Sequence, residues 1–499
     1  MDIKYILSVV SCGVLSLAAC SNESNLNFNG NETEPDLTGD VSVLISSSNK
    51  SYDLDWKSVN YSEKDNLSPY TININPSESF QTLDGFGAAV TGASCYNLLK
   101  MTEEDRKAFL TQTFSPDEKN GFGFSYVRIS IGCSDFSLSE YTCCDTKGIE
   151  NFALTNEELN YIIPVLKEIL AINPELKIMG TPWTCPKWMK VNDPVSKVAY
   201  DSWTGGHLNP DYYQDYAEYF VKWVTAFKEH GIHIYSVTPQ NEPLNPGNSA
   251  SMLMWWDEEQ AFVRDALGPK LRAAGLDTKI YAFDHNFNYD GKADQNKYPL
   301  KVYADANASQ YFAGAAYHDY GGQPEEMLDI KASAPDKELV FTEASIGEWN
   351  DGRNLSARLT SDMQRLGLTM IRNYCKAVIV WNLMLDTDKG PNRDGGCQTC
   401  FGAVDISNND YKTITRNSHY YVIAHLSSVV KPDAKRISSY GYEKDGLTYE
   451  AFQNVDGSYA LVLCNNSSEK LSITVDDGEH HFTYAVPAKS AVSYKWNKK

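Results

Sequence analysis

Ile234-Tyr235-Ser236-Val237-Thr238-Pro239-Gln240-Asn241-Glu242-Pro243 is a short β-branched run that stops in prolines and polar side chains, and Leu339-Val340-Phe341-Thr342-Glu343-Ala344-Ser345 ends in the same way. Such runs recur along the chain. Apolar stretches at 85–90, 125–131, 177–181, 234–238, 279–283, 313–317, 339–342 and 377–381 each give way to polar residues. Between them lie helical patterns at 156–171, 212–229, 258–274, 355–375 and 418–430. Thr155 and Glu158 form a capping box at the first of these. Eight βα repeats over roughly 350 residues predict an α/β fold, a (β/α)8 TIM barrel with enlarged loops. A doubly wound sheet would carry fewer strands and a Gly-rich phosphate turn; no G-x-G-x-x-G or P-loop follows any of these strands, so nucleotide binding has no support.

Beyond residue 430 the rhythm changes to alternating strands at 447–453, 459–464, 471–475, 481–486 and 491–496, an antiparallel β domain. The segment 41–74 is also strand-like, which predicts a β-sandwich built from both chain termini. Its expected role is support for the barrel rather than independent carbohydrate binding. The expected organisation is a signal peptide at 1–19, a flexible tether at 20–40, sandwich strands at 41–80, the catalytic barrel at 81–430 and the C-terminal sandwich at 431–499.

The first residues read as an address. Lys4 precedes an apolar run too short to span a bilayer, followed by Leu17-Ala18-Ala19-Cys20, small residues before a cysteine as in a bacterial lipobox. Cleavage before Cys20 and lipidation of its thiol predict a secreted lipoprotein on the outer membrane, at the cell surface or the periplasmic face; the alternative is ordinary cleavage that leaves Cys20 a chance thiol. The next twenty residues are rich in Asn, Ser, Glu, Gly and Pro and suit a tether. Eleven cysteines less Cys12 and Cys20 leave an odd number, so at least one stays unbridged in an oxidising compartment. Cys397 and Cys400 are the expected bridge; adjacent Cys143 and Cys144 are less readable. No second ligand pair at finger-like spacing supports a zinc site.

Composition narrows the class further. The chain has 499 residues, 44 Lys and Arg against 65 Asp and Glu, a net charge of −21, and no basic cluster of the kind that holds nucleic-acid phosphates. With 42% hydrophobic and 22% charged residues it is an ordinary globular chain, which excludes disorder throughout, collagen and a multi-span membrane protein. Its 31 tyrosines and 10 tryptophans beside many carboxylates suit neutral polar ligands such as sugars better than anions.

In a barrel of this kind the chemistry sits at the C-terminal ends of the strands. Cleaving a glycosidic bond needs one acid to protonate the leaving oxygen and one carboxylate to attack the anomeric carbon, and Glu242 and Glu343 end two of the runs. They lie 101 residues apart, three βα units, which puts them at strands four and seven across the barrel mouth. Asn241 places an amide where it can donate to a sugar 2-hydroxyl. After strand three, Thr181-Pro182-Trp183-Thr184-Cys185-Pro186-Lys187-Trp188-Met189 offers two tryptophans as a wall for a pyranose ring. Strands two, six and eight end in Cys133-Ser134-Asp135-Phe136, Tyr317-His318-Asp319-Tyr320 and Trp381-Asn382. His318 reads as a hydrogen-bonding helper, since no Ser-His-Asp set is evident.

Asp84-Gly85-Phe86-Gly87-Ala88-Ala89-Val90-Thr91, Arg128 with Ser134-Asp135-Phe136-Ser137, Thr181-Pro182-Trp183-Thr184-Cys185-Pro186, Asn241-Glu242-Pro243, Thr342-Glu343-Ala344 and Trp381-Asn382-Leu383 together resemble glycoside hydrolase family 30, in order through residues 80–430. The resemblance implies a barrel with a side sandwich and a retaining double displacement, with Glu242 as general acid/base, Glu343 as nucleophile, and no metal or organic cofactor. Arg128, Asp135, Trp183, Asn241, His318, Tyr320 and Trp381 match positions that shape the −1 sugar subsite. The mechanism calls for Glu343 ionised and Glu242 protonated, their pKa values pushed apart.

Within the family, members acting on glucosylceramide, β-1,6-glucan and xylan-type polymers share this pair. Lys389-Gly390-Pro391-Asn392 and Gly395-Gly396-Cys397-Gln398-Thr399-Cys400 look most like the β-1,6-glucanase branch, so the expectation is an endo-acting, monomeric β-1,6-glucanase that touches the membrane only through its lipid. The alternatives are a glucosylceramidase, an exo-β-glucosidase or β-xylosidase of the same family, and a non-catalytic glycan-binding lipoprotein, against which the paired carboxylates argue. Asn392-Arg393-Asp394 carries charge where several relatives have aromatic residues, which places Arg393 among the expected rim contacts that bear on substrate choice.

Overall fold

A computed structural model describes residues 37–63, 68–287 and 292–497. The signal segment and Cys20 lie outside the described residues. Eight parallel strands form a barrel: Gly85–Ala88 (β1), Tyr126–Ser130 (β2), Lys177–Thr181 (β3), Ser236–Val237 (β4), Lys279–Asn286 (β5), Phe312–His318 (β6), Glu338–Glu343 (β7) and Cys375–Val380 (β8). Pairing of β8 with β1 continues the ring, and the bonds from Ser125 N to Phe86 O (2.9 Å) and Val90 N to Arg128 O (2.8 Å) close it between β1 and β2. Tyr126, Met179, Tyr281 and Ile379 pack together inside, so the barrel is filled rather than hollow.

The expected strands are present with shifted ends, each for a local reason. β4 is short because Pro239 has no N–H to continue the ladder. The helical pattern at 355–375 stops at Arg372, where Tyr374 at φ 72° turns the chain and Cys375 opens β8. Glu158 accepts from Thr155 N at 2.9 Å, as a capping-box glutamate does.

Both chain ends meet in one nine-stranded sheet. Val41–Ser47 pairs antiparallel with Ser490–Trp496, and Thr71–Thr82 pairs with Lys435–Gly441 and Leu471–Asp476. The strand at Lys435–Gly441 escapes sequence patterning because only Ile437 in it is a large buried aliphatic side chain. Alternation explains the docking. Tyr459, Leu461 and Leu463 enter the sheet's own core, while Ala460, Val462 and Cys464 face the barrel's core. His425, from the helix Ser418–Ser427, bonds Ser46 Oγ at 3.0 Å and Ser493 Oγ at 2.9 Å, which ties that helix to strands from both termini.

β5 carries the irregularity that matters most. Its register against β6 slips between Phe283 and His285, and Phe283 and Asp284 adopt φ 75° and 54°, a region that non-glycine residues rarely enter. Glu259, from the helix Trp256–Phe262, accepts from Phe283 N at 3.2 Å and from Tyr298 Oη at 2.9 Å. Burial pushes its carboxyl up to about 8, against the pull of these two hydrogen bonds. Glu259→Leu leaves the buried Phe283 N–H unpaired and is expected to cost about 1–3 kcal/mol of unfolding free energy. Glu259→Gln, which keeps a carbonyl of similar reach, is expected to retain most of it. Denaturant melts of the two variants check this, and equal losses contradict it.

Candidate active site

The centre of the barrel mouth is Arg128, on β2, without exposed surface. Its guanidinium donates to Glu343 Oε2 at 2.5 Å, Asn241 Oδ1 at 2.7 Å and Asp284 Oδ2 at 2.8 Å, joining residues from β7, the β4 loop and β5. Trp183 and Trp381 stack on each other at 5.2 Å between ring centroids and lie 4.9 and 5.5 Å from the guanidinium carbon. The expected tryptophan wall therefore pairs Trp183 with Trp381. Trp188 turns away to donate to Cys144 O at 2.8 Å and pack edge-on against Tyr212.

Glu343 ends β7, with Tyr320 Oη 3.0 Å from its Oε1. Glu242 follows β4 in a left-handed conformation, φ 44°, where its N–H donates to Asp284 O at 3.0 Å. Asn245 and Asn248 donate to Glu242 Oε2 at 2.7 and 3.0 Å, which leaves Oε1 facing His318. His318, at the end of β6, stands between the carboxylates: Nδ1 is 3.3 Å from Glu242 Oε1, and Nε2 is 3.0 Å from Asp284 Oδ1 and 4.0 Å from Glu343 Oε2.

Three carboxylates face one permanent cation here, and the imbalance decides where the proton sits. Burial works against a charged imidazole, yet Glu343 and Asp284 push His318 up to about 9. Burial also opposes ionisation of Glu242, but the His318 hydrogen bond and the neighbouring imidazoles draw it down to about 2. For Glu343 burial prevails and the carboxyl is raised, against the pull of His318 and Arg128. Asp284 stays ionised, since Arg128 and His318 overcome its burial. The two glutamates are thus pushed apart in the opposite sense to the sequence expectation. The imidazolium form of His318 is favoured because the ring lies 3.0 Å from Asp284, 3.3 Å from Glu242 and 4.0 Å from Glu343.

Asp135, in the loop after β2, is buried, and its burial beside Glu343 and Glu242 pushes it up to about 7. Arg393 is not a rim charge. It is nearly buried, donates to Ser134 O at 2.7 Å and Ser249 O at 2.5 Å, and pairs with Glu140 at 3.2 Å, binding the loops after β2, β4 and β8 together. Cys397 and Cys400 form a disulfide in the same loop, and the other described cysteines from Cys95 onward are buried thiols. Asp284, His285, Asn245 and Asn248 also belong to the site and were not among the sequence candidates. Asp284 was open to the same criterion as Glu343, being the first polar residue after Ile280-Tyr281-Ala282-Phe283.

Residues 83–430 match the glycosyl hydrolase family 30 TIM-barrel domain, and residues 433–494 the glycosyl hydrolase family 30 beta sandwich domain. A solved structure described as the endo-beta1,6-glucanase BT3312 is 64% identical with a TM-score of 0.91, covering 92% of this chain and 100% of that one. An endo-1,6-beta-D-glucanase of Neurospora crassa is 31% identical over 428 residues, 81% of this chain and 83% of its own. The lysosomal acid glucosylceramidase of Mus musculus is 26% identical over 451 residues, 86% of this chain and 83% of its own. A barrel and sandwich that both match, around two glutamates at the ends of strands four and seven, place the chain in glycoside hydrolase family 30, and it is a glycoside hydrolase.

Proposed function

We propose that the chain is an endo-acting β-1,6-glucanase that works by retaining double displacement. The observation that carries the linkage is the 64% identity, over 92% of the chain, to a protein described as an endo-β1,6-glucanase; identity to the mouse glucosylceramidase is 26%.

The geometry supports a role for each residue. Glu343, oriented by Arg128 and Tyr320, attacks the anomeric carbon as Glu242 protonates the leaving glycosidic oxygen, and a glycosyl ester forms on Glu343. His318 Nδ1, 3.3 Å from Glu242 Oε1, is placed to pass a proton to Glu242 for this step. Glu242, ionised after departure of the first product, then takes a proton from the water that cleaves the ester. Arg128 can only donate, so Asn241 must turn its carbonyl oxygen to it. The Asn241 amide hydrogens are left to bond the sugar 2-hydroxyl, an interaction that strengthens in the transition state.

Products from pustulan, laminarin, xylan and glucosylceramide test the substrate. Short β-1,6-linked oligosaccharides appearing early from pustulan are expected; glucose alone, or turnover confined to glucosylceramide, contradicts the assignment. The proposal includes a lipid anchor on Cys20. Cys20→Ala in the full chain is expected to move the enzyme from the membrane pellet to the soluble fraction, and an unchanged distribution contradicts the anchor.

A further inference from the structure

Glu242 Oε1 faces two imidazoles. His318 Nδ1 is 3.3 Å away, and His285 Nδ1, brought in by the bulged end of β5, is 4.0 Å away. The donor atoms of Glu242, His285 and His318 lie within 4.8 Å of one another, and all three residues are buried. With metal bonds of about 2.0–2.1 Å to N and O, a tetrahedral shell separates its donors by roughly 3.3–3.5 Å. The Glu242–His318 pair already has that spacing, and His285 must close on it by about 0.5 Å or more.

Neighbouring groups hold the donors as metal sites do. Asp284 Oδ1 binds His318 Nε2 at 3.0 Å, the carboxylate–histidine pairing that fixes a ligand ring and turns its other nitrogen to the ion. Asn245 and Asn248 occupy Glu242 Oε2, which leaves Oε1 to coordinate. Two imidazoles and one carboxylate select Zn2+ or Cu2+, whereas Ca2+ and Mg2+ require shells of oxygen.

We propose that Glu242, His285 and His318 form an inhibitory site for a divalent cation of the Zn2+ type. The inhibition, though not the binding, rests on the acid/base role proposed for Glu242: a carboxylate oxygen that coordinates a metal cannot protonate a leaving group. No covalent step is involved. A chelator removes the ion and restores the site.

Full-length enzyme, freed of metal by chelation, is titrated with ZnCl2 by calorimetry and with Co2+ by visible absorption. One bound Zn2+ per chain and a tetrahedral Co2+ spectrum are expected. In parallel, Zn2+ is expected to suppress pustulan hydrolysis and EDTA to restore it. His285→Gln, with His285→Asn as a second variant should the first not fold, is expected to weaken Zn2+ binding about 10-fold or more and to raise the inhibition constant alike, each variant normalised to its own metal-free rate. Unchanged affinity in the folded variant, absence of Zn2+ binding to the wild type, or loss of activity on chelation overturns the proposal. The binding measurements need no turnover, so a chain that binds Zn2+ as described and leaves pustulan intact overturns the glucanase reading and not the metal site.

Discussion

A guanidinium with no access to water is the constraint on which the barrel mouth depends. Burying Arg128 costs several kcal/mol unless its hydrogens and charge are matched. The matching partners are Glu343, Asp284 and Asn241, contributed by separate βα units, with the Trp183–Trp381 stack beside them. Strand ends that share one cation cannot drift independently, and this holds Glu343, Asn241 and Asp284 in one geometry. Asp284 meets Arg128 from the left-handed turn in β5, where Glu259 accepts from Phe283 N, so a side chain outside the site helps to place a charge within it.

The same charge count explains the unliganded protonation. With Arg128 as the permanent cation facing Glu242, Asp284 and Glu343, His318 gains by holding a proton, and the carboxylate closest to its Nδ1 ionises. Under the proposed acid/base role of Glu242, His318 Nδ1 at 3.3 Å is placed to supply the proton, so the resting state need not carry it on the glutamate itself.

Much of this was legible in the chain itself. Eight apolar runs ending in polar residues predicted the barrel, because parallel strands covered on both faces must be apolar and their functional residues must follow them. Glu242, Glu343, Arg128, Trp183, Asn241, His318, Tyr320 and Trp381 meet at one mouth, as that reading required. What stayed hidden depends on backbone geometry. A one-residue bulge in β5 carries Asp284 and His285 to the site, and no side-chain period reports a bulge. Arg393 looked like a rim charge because its carbonyl partners belong to loops far away in sequence. The Lys435–Gly441 strand hid among polar residues because its ladder, rather than its side chains, holds it in the sheet.

Trapping the intermediate tests the central claim, attack by Glu343 with retention, most directly. Incubation with a 2-deoxy-2-fluoro-β-glucosyl fluoride, whose fluorine slows hydrolysis of the ester more than its formation, followed by peptide mass mapping, is predicted to place one fluoroglucosyl group on the peptide containing Glu343. A label on Glu242, or turnover without an adduct that releases the α-anomer first, contradicts the account.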